Sequence, residues 1–228
     1  MGVVEIVKAT PITFTGSSGD LAASVNFTVD GSGNLIVTLT NTSTADVLIP
    51  SEMLTAVFFD VDGVVTLTPV SALLNTGSVV FFGPDGGGNV GGEWAYAFGL
   101  SGAPGGATEG ISSAGFGLFG AGNFGGPNLE GPAAVNGLNY GLTSAGDNLS
   151  TGNAQVTGNV PLIKNLVVFT LSGLPNDFDP STAITNVTFQ YGTALTDPNV
   201  TVPEPGVLIL LGLSMTAIGV ASRFLRKI

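Results

Sequence analysis

The sequence has 228 residues, a formal net charge of −11 and only 9% charged residues. A chain this acidic has no electrostatic means of holding a phosphate backbone, which excludes nucleic-acid binding. It contains no cysteine and no histidine, which excludes disulfides and cysteine nucleophiles and removes the commonest general base and zinc ligand. We therefore expect a protein that is not an enzyme and that holds no cofactor or metal.

The first ten residues, 1–10, do not read as a signal peptide, because their apolar run is short and Glu5 interrupts it. The tail described below indicates export. We interpret residues 1–10 as a remnant of a longer N-terminus with the signal peptide missing. A tail that inserts late, without any signal peptide, is the alternative.

From Pro11 onward apolar residues recur with period two, which predicts β-strands. Residues 24–29 and 35–40 flank the turn-rich segment 30–34 and predict a hairpin. Residues 54–61 and 64–69 predict a second hairpin about Asp62-Gly63. Further short strands are predicted at residues 78–82, 93–98, 166–171 and 185–191. We expect an all-β fold: an antiparallel β-sandwich or jelly-roll-like ectodomain over residues 11–197, with long glycine-rich loops.

Glycine is dense over residues 83–158, and two interpretations compete. Glycine-rich stretches are usually flexible linkers, but linkers lack large aromatic side chains. We favour an ordered excursion packed on the sandwich, with Trp94 and most of the phenylalanines buried. The recurring large side chains are Trp94, Tyr96, Phe98, Phe116, Leu118, Phe119, Phe124 and Tyr140.

Three groups of residues are candidates for binding. Asp60 and Asp62 could begin a calcium loop, but too few oxygens follow, so we favour a hairpin turn. Residues 176–180 are a second acidic segment, which we interpret as solvated or helix-capping. Glu93 and Glu130 could act as an acid–base pair if the fold brought them together. Glu93 beside Trp94 and Tyr96 would suit a sugar-binding face, although core packing of Trp94 is the favoured interpretation.

The C-terminal segment, residues 198–228, carries the strongest signal. Residues 206–222 hold no charge and lie at the lower end of the length that a transmembrane helix rising 1.5 Å per residue needs to cross a core of ~30 Å, a length that Phe224 and Leu225 extend if Arg223 snorkels. The basic residues Arg223, Arg226 and Lys227 follow and stop transfer, which places the C-terminus inside and the N-terminal domain outside the cytoplasm. Pro203 and Pro205 hold Glu204 in an extended backbone just before the helix.

This order of motif, apolar helix and basic end closely resembles the PEP-CTERM sorting signal of Gram-negative bacteria. The resemblance implies that Pro203, Glu204 and Pro205 are recognised by exosortase, a membrane-embedded processing enzyme. It implies an inner-membrane-anchored precursor whose helix and tail are removed or exchanged during sorting to the cell surface or extracellular matrix. It adds exopolysaccharide as a further partner.

The body also resembles one group of PEP-CTERM surface proteins, over roughly residues 12–197, a group without an assigned biochemical activity. The segments that carry the resemblance are residues 39–42, 57–60, 91–96, 144–147 and 186–192. Two classes of function follow as expectations. The preferred one is a non-enzymatic exported surface or matrix protein, and the alternative is a carbohydrate- or calcium-binding module on the same scaffold.

Overall fold

The computed structural model describes residues 9–63, 66–130, 137–151 and 159–203. These residues form thirteen strands and one short helix, α1 (Pro180–Ala183), and the strand pairs are antiparallel except for β9–β10. The prediction of an all-β fold is confirmed. The strands are β1 (Ile12–Ser18), β2 (Leu21–Val29), β3 (Leu35–Asn41), β4 (Leu54–Val61), β5 (Thr68–Leu74), β6 (Val79–Phe81), β7 (Ala95–Phe98), β8 (Glu109–Ser112), β9 (Leu142–Thr143), β10 (Leu162–Lys164), β11 (Leu166–Ser172), β12 (Ile184–Tyr191) and β13 (Asn199–Thr201).

A five-stranded sheet has the order β1-β2-β3-β11-β5. The predicted hairpin is confirmed in it, because β2 and β3 pair antiparallel with Phe27 opposite Val37. The Asp30 carboxylate shapes the turn by accepting hydrogen bonds from the backbone N–H groups of Ser32 and Asn34, at 2.8 and 2.9 Å. These hydrogen bonds, those of Asn34 first, lower the pKa of Asp30.

An eight-stranded sheet follows the path β13-β12-β4-β9-β10-β6, with β8 pairing both β4 and β7. Strand β4 is the centre of this sheet. It pairs with β12 on one side, placing Phe58 opposite Thr188, and with β8 on the other, placing Phe58 opposite Gly110. Its first six residues are all buried, so both faces of β4 are covered.

The predicted second hairpin is wrong. Residues 54–61 do form β4, but the next strand, β5, pairs with β11 in the five-stranded sheet. Asp62-Gly63 therefore marks the point where the chain crosses between sheets. The backbone N–H of Asp62 donates to the carbonyl of Ala183 at 2.8 Å, which ties the end of β4 to α1. Residues 64–65 of the predicted strand lie outside the described residues.

The two sheets pack face to face over one hydrophobic core. Phe27 of the smaller sheet meets Phe59 of the larger one, with ring centroids 5.1 Å apart in an edge-to-face arrangement. Strand β1 packs closely against β13 at Gly16, because a Cβ there would lie 2.8 Å from Cγ1 of Val200. A larger residue at this position would have to displace the Val200 side chain.

The glycine-rich segment covers the outer face of the larger sheet. Phe58 on that face packs against Phe116 and Phe119, at centroid distances of 6.2 and 5.9 Å. The carboxylate of Asp60 fixes the same segment by accepting from the backbone N–H of Thr108 at 2.7 Å. The described part of residues 83–158 is therefore packed on the sheet, as the ordered interpretation requires.

Burial of the aromatic residues is as predicted for some and not for others. Trp94 and Phe124 are buried, and both pack against Phe169 of the smaller sheet. Phe116 and Phe119 are half-buried. The prediction is wrong for Phe98, which is 60% exposed because it lies at the end of an edge strand, beyond the core. Residues 131–136 and 152–158 of the segment lie outside the described residues.

Candidate functional site at the C-terminal edge

The last strand, β13, ends two residues before Pro203, the first residue of the predicted sorting motif. Strand β13 pairs with β12, and Val200 and Val202 are buried in the shared core. The backbone N–H of Val202 donates to the carbonyl of Val187 at 2.9 Å, whereas Pro203 is exposed. Packing therefore continues past the predicted boundary at residue 197 as far as Val202, and Pro203 is the last residue that the structure describes.

A surface groove of about 490 Å³ lies beside the end of β13 and includes Pro203 in its lining. It is lined by residues of β1 and β13, the edge strands of the two sheets, and of β2. Its lining bears no charged side chain and consists of Thr15, Gly16, Ser17, Ala22, Ala23, Thr42, Val200, Thr201 and Pro203. An extended peptide segment can lie in such a groove, because an edge strand offers it unpaired backbone N–H and C=O groups.

The remaining predicted tail lies outside the described residues. This applies to Glu204 and Pro205, to the predicted helix at residues 206–222 and to the basic residues Arg223, Arg226 and Lys227. Among the residues that the structure describes, no helix is long and apolar enough to cross a membrane.

The predicted ligand face at Glu93, Trp94 and Tyr96 is wrong. All three are buried, with 3%, 0% and 4% of their surface exposed, so no aromatic row is open to a sugar. Glu93 instead holds a loop: its Oε1 accepts from the backbone N–H groups of Leu129 at 2.6 Å and Glu130 at 3.0 Å. Burial raises the pKa of Glu93, and these two hydrogen bonds oppose the rise.

A buried carboxyl that the sequence analysis did not single out lies next to Tyr96. The hydroxyl of Tyr96 donates to Oε2 of Glu109 at 2.6 Å, and Glu109 is only 7% exposed. Burial raises the pKa of Glu109 to about 7, the hydrogen bond from Tyr96 opposes the rise and the charge of Asp60 adds to it. Burial raises the pKa of the Tyr96 hydroxyl as well. No sequence motif marks Glu109, because its burial depends on the pairing of β7 with β8.

The clustered aspartates act as structural groups. Asp60 is a strand residue rather than part of a hairpin turn, and its Oδ2 accepts from Nδ2 of Asn186 at 2.9 Å. Asp62, Asp177 and Asp179 line one open depression of about 220 Å³. Asp179 caps α1 by accepting from the backbone N–H of Ser181 at 3.1 Å. Within the described ranges, no three or more His, Cys, Asp or Glu side chains are grouped to hold a metal ion.

Comparison of the chain with protein-family models, with curated proteins and with solved structures finds no match.

Proposed function

We propose that this protein is a non-enzymatic surface or matrix protein, exported and then sorted by exosortase at Pro203-Glu204-Pro205. One observation carries the proposal: Val202 is buried just after the last strand, and Pro203, the first residue of the motif, is exposed. A membrane-embedded enzyme needs an extended, accessible backbone, and the two prolines favour that conformation.

The composition of the tail supports a membrane-anchored precursor. Residues 206–222 are uncharged and basic residues follow them, which is the pattern of a single transmembrane helix with its C-terminus in the cytoplasm. The β-sandwich body then lies outside the inner membrane before sorting, and at the cell surface or in an exopolysaccharide matrix afterwards.

Substitution of the motif tests this function. In a Gram-negative host with an exosortase, Glu204→Ala is expected to leave full-length precursor in the inner membrane, whereas the wild-type protein reaches the surface fraction. Asn199→Ala, at an exposed position of β13 just before the motif, is the matched control and is expected to be sorted normally. Immunoblots of fractionated cells make the comparison. Normal sorting of the Glu204→Ala variant would contradict recognition at the motif.

A carbohydrate-binding module is the second candidate function. The buried positions of Glu93 and Trp94 remove the face on which it was first expected. A different observation favours it: the outer face of the five-stranded sheet is an uncharged surface of regularly spaced hydroxyl groups.

A further inference from the structure

The outer face of the five-stranded sheet forms a lattice of small polar and branched side chains. Alternation along each strand sends Val25, Phe27, Val37 and Leu39 into the core and leaves their neighbours half-buried on the outside. The strand register aligns these outer residues in three rows across the sheet. We call them the threonine face: Thr28, Ile36, Thr170 and Ser71 in the first row, Thr13, Asn26, Thr38, Val168 and Leu73 in the second, and Thr15, Ser24, Thr40 and Leu166 in the third.

The spacing of the threonine face is regular. Neighbouring strands in a sheet lie about 4.8 Å apart, and successive outward residues on one strand are about 6.7 Å apart. Hydroxyl and methyl groups therefore recur in two directions over a surface that is five strands wide. A polymer with evenly spaced hydroxyl groups can meet such a surface at several points at once.

Most hydroxyl groups of this face are available for a ligand. Among the described residues, the hydroxyls of Thr28, Thr38, Thr40 and Thr170 make no hydrogen bond to the protein, whereas Asn26 donates to the hydroxyl of Thr13 at 2.7 Å. Each hydroxyl can both donate and accept. Their partners must come from solvent or from a bound molecule.

The threonine face has no charged residue, although the chain carries a net charge of −11. A charged ligand would lose hydration on this face without gaining an opposite charge. A neutral ligand rich in hydroxyls exchanges its bonds to water for equivalent bonds to threonine. The methyl groups of threonine, with Val168 and Ile36, offer apolar contact to the C–H groups of sugar rings.

The two sheets of the protein differ in how their outer faces are covered. The glycine-rich segment lies over the larger sheet, where Phe58 packs against Phe116 and Phe119. No described segment lies in the same way over the threonine face, whose central residues stay half-exposed. The fold thus leaves one broad, uncharged and regular surface open.

We propose that the threonine face binds a neutral polysaccharide, with the glycan chain lying flat across the strands. The free hydroxyls of Thr38 and Thr170, in the middle of the sheet, supply the central hydrogen bonds. This inference deepens the proposed function, because it rests on an extracellular placement and names the chemistry of the partner found there.

Binding to neutral polymers tests the proposal directly. The full chain is purified in a polyoxyethylene detergent, which has no sugar head group, and is applied to microcrystalline cellulose and run through gels containing hydroxyethylcellulose or dextran. The wild-type protein is expected to be retained by at least one of the three. Thr38→Glu combined with Thr170→Glu is expected to weaken retention at least tenfold, because two carboxylates must then be desolvated against a neutral surface.

Two further variants separate binding from folding. Thr38→Val combined with Thr170→Val keeps side-chain shape and β-propensity but removes both hydroxyls, and it is expected to weaken retention as well. Thr196→Glu adds a carboxylate at an exposed position of the loop between β12 and β13, in the other sheet, and is expected to bind like the wild type. Fluorescence of Trp94, which is buried, reports whether each variant is folded.

Four results would overturn the proposal. The first is no retention of the wild type by any of the three polymers, and the second is retention of both double variants equal to that of the wild type. The third is equally strong binding to the anionic polymer alginate, and the fourth is a concentration-dependent dimer that the glutamate variant abolishes. The last would show that the face binds a second copy of the chain. None of these measurements involves exosortase, so a failure here is distinct from a failure of the Glu204→Ala experiment.

Discussion

The buried carboxyl of Glu109 predicts how stability changes with pH. Its pKa rises from an ordinary 4.5 to about 7 in the folded protein because the side chain is buried, next to the hydroxyl of Tyr96. The neutral form is therefore favoured by folding. The stabilisation is fully present below pH 4.5 and is lost as the pH rises through about 7, because the buried group must then ionise. A difference of one pKa unit corresponds to 1.36 kcal/mol, so the rise from 4.5 to about 7 lowers the free energy of unfolding at high pH by about 3 kcal/mol.

Glu109→Gln isolates this contribution. Glutamine is a neutral side chain of the same size whose oxygen can still accept from the hydroxyl of Tyr96. At pH 5 the variant should be more stable than the wild type by less than about 1 kcal/mol, because this pH lies only just above the ordinary pKa of 4.5 that the carboxyl has in the unfolded wild type. At pH 8 the variant should be more stable by about 3 kcal/mol, since the wild type must hold an ionised carboxylate in the core.

Urea unfolding at a series of pH values between 5 and 8 measures the effect. Trp94 is the only tryptophan and is buried, so its fluorescence follows the transition. Asp62→Asn, at an exposed carboxylate, is the control and should follow the wild-type curve. Burial raises the pKa values of Glu93 and Asp147 too. Both residues are present in the variant and in the wild type, so their effects on the pH dependence of stability cancel in the comparison. Equal stability of the variant and the wild type at pH 8 would refute the reasoning.

Two further predictions concern the glycine-rich segment and calcium. Gly92→Ala should lower the free energy of unfolding by about 1–3 kcal/mol, because its Cβ would overlap the carbonyl of Pro127. Gly120→Ala, with open space around it, should change that free energy little. Urea unfolding compares the two variants, and equal effects would show that the segment does not pack as described. We expect no calcium site at Asp60, Asp62 or Asp177, so calcium at millimolar concentration should leave the melting temperature nearly unchanged. A site with micromolar affinity would instead add about 4 kcal/mol of stability. A rise of several degrees that a chelator reverses would contradict the structural role given to these aspartates.

Local sequence patterns predict pairing only where the partners are consecutive. Strands β2 and β3 follow each other, alternate in the same way and enclose a turn held by Asp30, so the hairpin was predictable. Strand β4 has the same kind of turn signal at Asp62-Gly63, but its partner is β12, far along the chain. A turn signal shows that the chain changes direction and does not show which sheet it enters next.

Burial in the glycine-rich segment was predictable only in part. The recurrence of aromatic residues correctly indicated an ordered segment, and Trp94 and Phe124 lie in the core. Phe98 has the same parity as Tyr96 in β7 but lies past the edge of the core, a distinction that depends on strand length. Glu109 could not be predicted, because its contact with Tyr96 is a diagonal one between neighbouring strands.

The candidate sites also differ in whether the sequence alone could predict them. The tail motif at Pro203 depends on residue types in sequence order, so it could be recognised without a structure. The threonine face could not, although the alternation at residues 13–15, 24–28 and 36–40 is visible in the sequence. Which side of each strand stays open depends on the position of the glycine-rich segment, which covers the other sheet.

The mass of the mature protein tests the central claim most directly. Protein recovered from the cell surface of a host with an exosortase is digested and its C-terminal peptide is identified by mass spectrometry. We predict that this peptide ends at or near Pro203-Glu204-Pro205, either free or joined to another group, and that residues 206–228 are missing. A surface protein that still ends at Ile228, with Arg223, Arg226 and Lys227 in place, would contradict sorting at this motif.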